Sequence, residues 1–182
     1  MSESSLVPTG GTAIPPDTVE QIDRDWMDYH TEAVTDLVRL IRRKMKASQP
    51  DVRLRAFVWG DPSVGLGDQA QDWARWLDEG IVDTAMPMAY TTDDTELERL
   101  LSIYASLDPG FGHITPTLSL YHRPEGRQTP RPPQMVLRQI NLVRSAGAKG
   151  VGLFASVHLS DEVLSALSDG PFSAPARPCA PN

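Results

Sequence analysis

The sequence predicts an α/β fold, a partial (β/α)8 barrel of the TIM type with about four parallel strands, each preceded by a helix. Helical and strand-like segments alternate along the chain, and this alternation indicates right-handed crossovers and a parallel sheet. The segment 82–90 is too continuously apolar for a half-exposed strand, as is typical of a parallel sheet covered by helices. A complete barrel typically needs about 250 residues, and this chain has 182. Four strands therefore predict half of a larger barrel.

The first helix is predicted to run from Asp17 to about Ala47. Asp17 and Glu20 have the spacing of a capping box. Apolar residues then recur at three- and four-residue steps, which predicts a long amphipathic helix. On this pattern Trp26 is interpreted as a packing residue of the core.

Four strands and four further helices follow the first helix. Pro116 inside the third strand indicates a bulge or a late start of pairing. The polar segment 122–133 follows the C-terminal end of that strand, so we expect a lid or binding loop there. The predicted order is a strand over 52–59, a loop through Gly67, a helix carrying Trp73 and Trp76, a strand over 82–90, a helix from Asp93 or Asp94 to Leu107, a strand over 113–121, a helix over 133–146, a strand over 151–157 and a short helix over 161–167.

Composition limits the class of protein. We expect a disordered segment over residues 1–16, a half-barrel domain over 17–170 and a Pro-rich tail over 171–182. The net charge of −7 disfavours nucleic acid as a partner, because phosphates are neutralised by clustered Lys and Arg. No segment resembles a transmembrane helix or a signal peptide, so the chain as written is expected in the cytoplasm. The single cysteine, Cys179, excludes an intramolecular disulfide and a Cys-based metal site.

Aromatic residues mark the predicted C-terminal ends of the strands, where α/β proteins bind ligands. Trp59, Tyr90 and Tyr121 each end a strand, and His122 and His158 lie beside the last two strands. Aromatic rings stack on the faces of sugars, and polar ring substituents bind hydroxyl groups. These five residues are therefore predicted to bind a carbohydrate, with packing of the barrel top as the alternative.

Hydrolysis of a glycosidic bond usually needs two carboxylates that face each other across the sugar. Asp61, which follows the first strand, is predicted as the catalytic acid or base, with a turn or capping role as the alternative. Helix capping is the favoured role for Asp93 and Asp94, and structural hydrogen bonding is favoured for Asp83. No convincing acid pair emerges, and the histidine spacing predicts neither a metal site nor a cofactor.

Three stretches resemble one known family. The run Trp73-Ala-Arg-Trp-Leu-Asp-Glu-Gly-Ile-Val-Asp-Thr-Ala-Met-Pro-Met-Ala-Tyr resembles a motif of the family-10 glycosyl-hydrolase-like (β/α)8 domains. Residues 26–38 and 44–52 are similar to that family's helix before its fifth strand. Residues 152–156 and 167–176 resemble its last strand and closing segment. The resemblance covers roughly residues 17 to 178.

This resemblance implies a secreted or envelope-associated bacterial protein that binds or hydrolyses a cell-surface glycan, with strands five to eight of the barrel in this chain. The family's N-terminal half, which carries an Asp-bearing segment, has no counterpart here. We therefore expect an incomplete barrel that is inactive alone, whose partners are a glycan or oligosaccharide and either the missing barrel half or a second copy.

Two other interpretations stay open. A non-enzymatic carbohydrate-binding or assembly module, or a truncated remnant, would self-associate to cover its unpaired sheet edges. The other interpretation is a barrel hydrolase with metal-assisted chemistry.

Overall fold

The computed structural model describes residues 15–174. Almost all of the predicted N-terminal disordered segment and most of the predicted tail therefore lie outside the described residues. In chain order the elements are α1 (Pro16–Ser48), β1 (Arg55–Trp59), α2 (Pro62–Gln69), α3 (Trp73–Asp78), β2 (Thr84–Met88), α4 (Asp94–Leu107), β3 (Thr117–Ser119), β4 (Tyr121–His122), β5 (Thr129–Pro130), α5 (Pro133–Ser145), β6 (Gly152–Phe154) and α6 (Asp161–Asp169).

Four strands form one parallel sheet in the order β1-β2-β3-β6. Strands β4 and β5 pair separately as a short antiparallel hairpin. Helices alternate with the strands of the large sheet, as a parallel sheet requires for its crossovers. The predicted fold class, a partial (β/α)8 barrel with about four parallel strands, is confirmed.

One face of the sheet packs against the helices and forms the core. Val58, Ala85 and Leu118 lie on this face and are at most 1% exposed. Trp73 and Trp76 cover them from α3 and are themselves buried, so their predicted role as packing residues is confirmed. Burial of each large apolar side chain contributes about 1.5–3 kcal/mol to stability.

The other face of the sheet carries exposed aromatic side chains. Phe57, Trp59 and Phe154 are 54%, 41% and 40% exposed. Side chains alternate between the faces of a strand, so these residues point away from the helices that cover Val58. In a closed barrel this face lines the interior and is filled by side chains from the remaining strands.

Helix α1 is held against α3 by a buried hydrogen bond and by exposed ion pairs. The indole Nε1 of Trp76 donates to Oγ1 of Thr35 at 2.9 Å, and Thr35 is fully buried. Arg39 contacts Glu79 at 2.7 Å. No described helix is both long and apolar enough to cross a membrane.

The opposite side of α1 differs from the sequence prediction. Trp26 is 58% exposed and is not a core residue; its ring contacts are with Tyr29 and His30 of the same helix. The periodicity located an apolar stripe correctly but could not show whether anything covers it. The predicted capping box is also wrong, since Pro15 precedes the first helical residue, Pro16, and no side chain caps the helix.

Other boundaries differ in ways that local chemistry explains. The predicted loop through Gly67 is the short helix α2, which begins at Pro62 with Asp61 as its N-cap. The continuous part of the third strand starts at Thr117, directly after Pro116. An isolated parallel bridge already joins Ile114 to Ala85, so Pro116 interrupts the pairing instead of delaying its start. The predicted binding loop after β3 contains the β4–β5 hairpin.

Candidate functional site

One cavity, of about 350 Å³, lies at the C-terminal ends of the strands. We call it the Asp61 cavity. Trp59, Asp61 and Tyr90 line it from the ends of β1 and β2, together with Glu96 and Arg99 of α4. The structure therefore brings three of the six predicted site residues to one concave surface.

The turn that delivers Asp61 into this cavity depends on a close backbone approach. A Cβ atom at Gly60 would lie 2.4 Å from the carbonyl oxygen of Met88, so a side chain does not fit there. The hydroxyl of buried Tyr104 donates to the Gly60 carbonyl at 2.7 Å. These contacts fix the turn between β1 and α2 against the neighbouring strand.

Asp61 is held as a carboxylate by three hydrogen bonds. Its Oδ1 accepts from the backbone N–H of Ser63 at 2.9 Å and from the Ser63 hydroxyl at 2.6 Å. Its Oδ2 accepts from Arg99 at 2.6 Å. The Ser63 hydroxyl, together with Arg99 and the Ser63 amide, lowers the pKa of Asp61 to about 2. The geometry thus gives Asp61 the N-cap role that the sequence left as the alternative.

Glu96 and Arg99 are site residues that the sequence analysis missed. Arg99 donates to both Glu96 oxygens at 2.7 Å and also to Asp61, so one guanidinium joins two carboxylates. This contact lowers the pKa of Glu96. Asp93 and Glu96 have the spacing of a capping box, a local pattern that by itself indicates helix capping and not a binding site. In the structure Asp93 caps α4 through Thr95, and Glu96 turns to Arg99 instead.

A second cavity, the Arg131 cavity of about 530 Å³, lies beside the first. Tyr121, His122 and Arg131 line it, and Tyr90 borders both cavities. Burial raises the pKa of Tyr90 to about 12, and the nearby Tyr121 adds to this shift. Tyr90 therefore stays a neutral phenol at neutral pH and can both donate and accept hydrogen bonds.

Aromatic rings from successive strand ends contact one another along this rim. Tyr90 stacks on Phe154 with ring centroids 5.6 Å apart and an interplanar angle of 13°. Tyr121 lies 6.3 Å from Phe154 and 4.9 Å from the His158 ring. Tyr121 thereby links His158, which lines neither of these two cavities, to the Arg131 cavity. Phe154 was not predicted, although its place at the end of the last strand was the available signal.

A buried hydrogen-bond chain connects the two loops that carry Tyr90 and Tyr121. Arg131, which is 3% exposed, donates from Nε to the Tyr121 carbonyl at 3.0 Å and from Nη1 to Gln139 Oε1 at 2.8 Å. Gln139 Nε2 in turn donates to the Thr91 carbonyl at 3.0 Å. The loops after β2 and β3 are thus linked through the interior.

The remaining candidate acids have structural contacts. Asp93 accepts from the Thr95 amide at 2.8 Å, and Asp94 forms an ion pair with Arg138. Asp83 accepts from the Leu54 amide at 2.6 Å, at the opposite end of the sheet from the cavities. Within residues 15–174 no group of three or more His, Cys, Asp or Glu side chains is arranged to hold a metal ion.

Comparison with known proteins finds similarity among solved structures. Neither a protein-family profile nor a curated protein sequence matches the chain. The structure of the PgaB (BpsB) glycoside hydrolase domain from Bordetella bronchiseptica is similar, with a TM-score of 0.61 and 17% sequence identity. The similarity covers 86% of this chain and 46% of that chain, so this chain spans about half the length of the solved structure. At this identity the likeness is one of fold, and it agrees with the partial (β/α)8 barrel described above.

Proposed function

We propose that this chain forms the sugar-binding half of a glycoside-hydrolase-like (β/α)8 barrel, related to the family-10 glycosyl-hydrolase-like domains, and that its rim binds a glycan of the bacterial cell surface. The aromatic rim carries this proposal. Trp59, Tyr90 and Tyr121 border two adjoining cavities at the strand ends, where barrel proteins bind their ligands. Exposed rings beside hydroxyl groups suit the apolar faces and polar edges of sugars.

The carboxylates of the Asp61 cavity support binding more than catalysis by this polypeptide alone. A general acid or base works best when its pKa lies near the operating pH, whereas the pKa of Asp61 is about 2. Glu96 shares the same Arg99, so both carboxylates stay ionised near neutral pH. Asp61 remains our proposed catalytic group only in an assembly where another barrel half supplies the second carboxylate.

Calorimetric titration with a panel of neutral and charged oligosaccharides tests the binding proposal. We expect at least one ligand to bind and Tyr121→Ala to weaken it about tenfold, the scale of a lost stacking contact. Tyr29→Ala is the matched control, because Tyr29 is an exposed tyrosine on α1 away from the rim. Equal losses from the two variants, or a complete lack of binding, would contradict the proposal.

Hydrolysis is tested separately with the same panel. We expect no release of reducing ends by the purified chain. Release of reducing ends that disappears in Asp61→Asn would show that the chain hydrolyses glycans alone, and would contradict the proposal that it is inactive without another barrel half.

A second candidate is a non-enzymatic carbohydrate-binding or assembly module. The exposed aromatic face of the sheet favours it, because Phe57 and Phe154 are 54% and 40% exposed and bury the rest of their apolar area only if another surface covers them. The solution mass distinguishes the two. A stable symmetric dimer of the isolated chain would favour the module, whereas a monomer that closes only with a separate barrel half would favour the enzyme fragment.

A further inference from the structure

The Arg131 cavity is positively charged in a protein whose net charge is −7. Its described lining includes Arg123, Arg131 and His122, with hydroxyl groups from tyrosine, threonine and serine, and contains no Asp or Glu. The charged residues that line the cavity next to it are two carboxylates, Asp61 and Glu96, and one guanidinium, Arg99. The two cavities of the rim therefore differ in the sign of their charge.

Arg131 is a buried cation that contacts only neutral acceptors. Its hydrogen bonds go to the Tyr121 carbonyl and to the Gln139 side-chain carbonyl, and it forms no ion pair within residues 15–174. Burial accordingly lowers the pKa of Arg131. A buried charge is costly unless a counter-charge accompanies it. The position of this guanidinium beside the cavity leaves room for a ligand to supply that counter-charge.

Two neighbouring groups add further donors. The Nδ1 atom of His122 is buried and has no hydrogen-bond partner among the described residues, which is uncommon for a buried polar atom. The Arg123 guanidinium lies 5.6 Å from the centre of the Tyr121 ring, at the exposed side of the cavity. The Tyr121 ring, the two guanidinium groups and the His122 imidazole therefore border a single concave space.

We propose that the Arg131 cavity binds an oxyanion, a carboxylate or phosphate group carried by a sugar, with the sugar ring placed against Tyr121. This inference rests on the proposed carbohydrate function and adds the charge of the ligand to it. Guanidinium groups bind planar and tetrahedral oxyanions through paired hydrogen bonds, and such charge-assisted bonds are shorter and stronger than neutral ones. The hydroxyl-bearing side chains of the lining bind the neutral part of the sugar.

Calorimetric titration of the full chain at low ionic strength tests the inference with four probes: glucose, glucuronic acid, glucose 6-phosphate and inorganic phosphate. We expect the two charged sugars to bind about tenfold more tightly than glucose, the effect of one charge-assisted hydrogen bond. Added salt is expected to remove most of this preference. Equal affinity for glucose and for both charged sugars would overturn the oxyanion site.

Variants separate this site from general electrostatic attraction. Arg123→Gln is expected to weaken the charged probes several-fold and to leave glucose unchanged. Arg127→Gln removes the same charge from the same loop outside the cavity and is the matched control. Arg131→Gln, if its circular dichroism is native, is expected to abolish the preference for charged probes. Equal effects of the Arg123 and Arg127 variants would overturn the proposal.

The outcome for inorganic phosphate distinguishes this inference from the proposed function. Phosphate binding that Arg123→Gln weakens, without binding of any sugar, would support the oxyanion site and contradict the carbohydrate proposal. Binding of glucose with the same affinity as the two charged sugars would support the carbohydrate proposal and contradict the oxyanion site. Failure of all four probes to bind would overturn the oxyanion site.

Discussion

Replacing Asp61 with Ala removes two contacts at once, because the carboxylate both caps α2 and accepts a hydrogen bond from Arg99. Loss of an N-cap costs about 1 kcal/mol. An ion pair at a half-exposed site adds about 0.5 kcal/mol. We therefore expect Asp61→Ala to lower the free energy of unfolding by about 1.5 kcal/mol at pH 7. Asp61→Asn retains a capping oxygen and is expected to cost only about 0.5 kcal/mol.

The pH dependence gives the same prediction a second test. The pKa of Asp61 falls from 3.8 to about 2 on folding, so the unfolded chain binds more protons and stability is lost as the pH falls from about 4 towards 2. At about 1.4 kcal/mol per pKa unit the shift corresponds to about 2.5 kcal/mol at most, and solvent screening reduces this to about 1 kcal/mol. About half of this stabilisation should be gone at pH 3.

Urea unfolding followed by far-ultraviolet circular dichroism at pH 7 and pH 3 measures both effects. The gap between the native chain and Asp61→Ala should narrow at pH 3, because protonation weakens the contacts in the native chain. Asp68→Asn is the control, since Asp68 lies on the same helix, is exposed, and its carboxylate makes no hydrogen bond within the described chain. A gap of the same size at both pH values, or an equal loss in the control, would refute the reasoning.

Two further substitutions test how the site is supported. Tyr104→Phe removes the buried donor to the Gly60 carbonyl and is expected to lower the free energy of unfolding by about 1–2 kcal/mol in urea titrations, whereas Tyr29→Phe should change nothing; equal stability of both would show that the hydroxyl does not hold the turn. Thr35→Val leaves the buried indole N–H of Trp76 without a partner and should cost about 1–3 kcal/mol. Adding Trp76→Phe should then cost less than it does in the native chain, and strict additivity would contradict this coupling.

The sequence predicted the alternation of strands and helices because a strand buried on both faces leaves a continuous apolar run, and a helix buried along one stripe leaves a periodic one. It could not predict α2, since two glycines in eight residues disfavour a helix. The structure explains Gly65, where a Cβ atom would lie 3.1 Å from the Cβ of Trp59. Close packing against β1 thus requires a residue that helix propensity alone would exclude.

Only part of the candidate site could be predicted from the sequence. Trp59, Tyr90 and Tyr121 follow directly from the rule that ligands bind at the C-terminal ends of parallel strands. Arg99 and Arg131 come from the second turn of a helix and from the end of a hairpin, and only the tertiary structure brings them to the rim. The contact of Arg99 with Asp61 spans 38 residues of chain, and Arg131 donates to the backbone carbonyl of Tyr121; neither contact leaves a local sequence pattern.

The four tryptophans of this chain divide into two environments, and this gives the protein its own optical probes. Trp73 and Trp76 are 0% and 3% exposed, whereas Trp26 and Trp59 are 58% and 41% exposed. A soluble quencher such as iodide reaches only the second pair, and buried indoles emit at shorter wavelengths than hydrated ones. With Trp26 changed to Phe, the quenchable fluorescence comes from Trp59 alone. Occupancy of the rim and integrity of the core can then be followed separately in one cuvette.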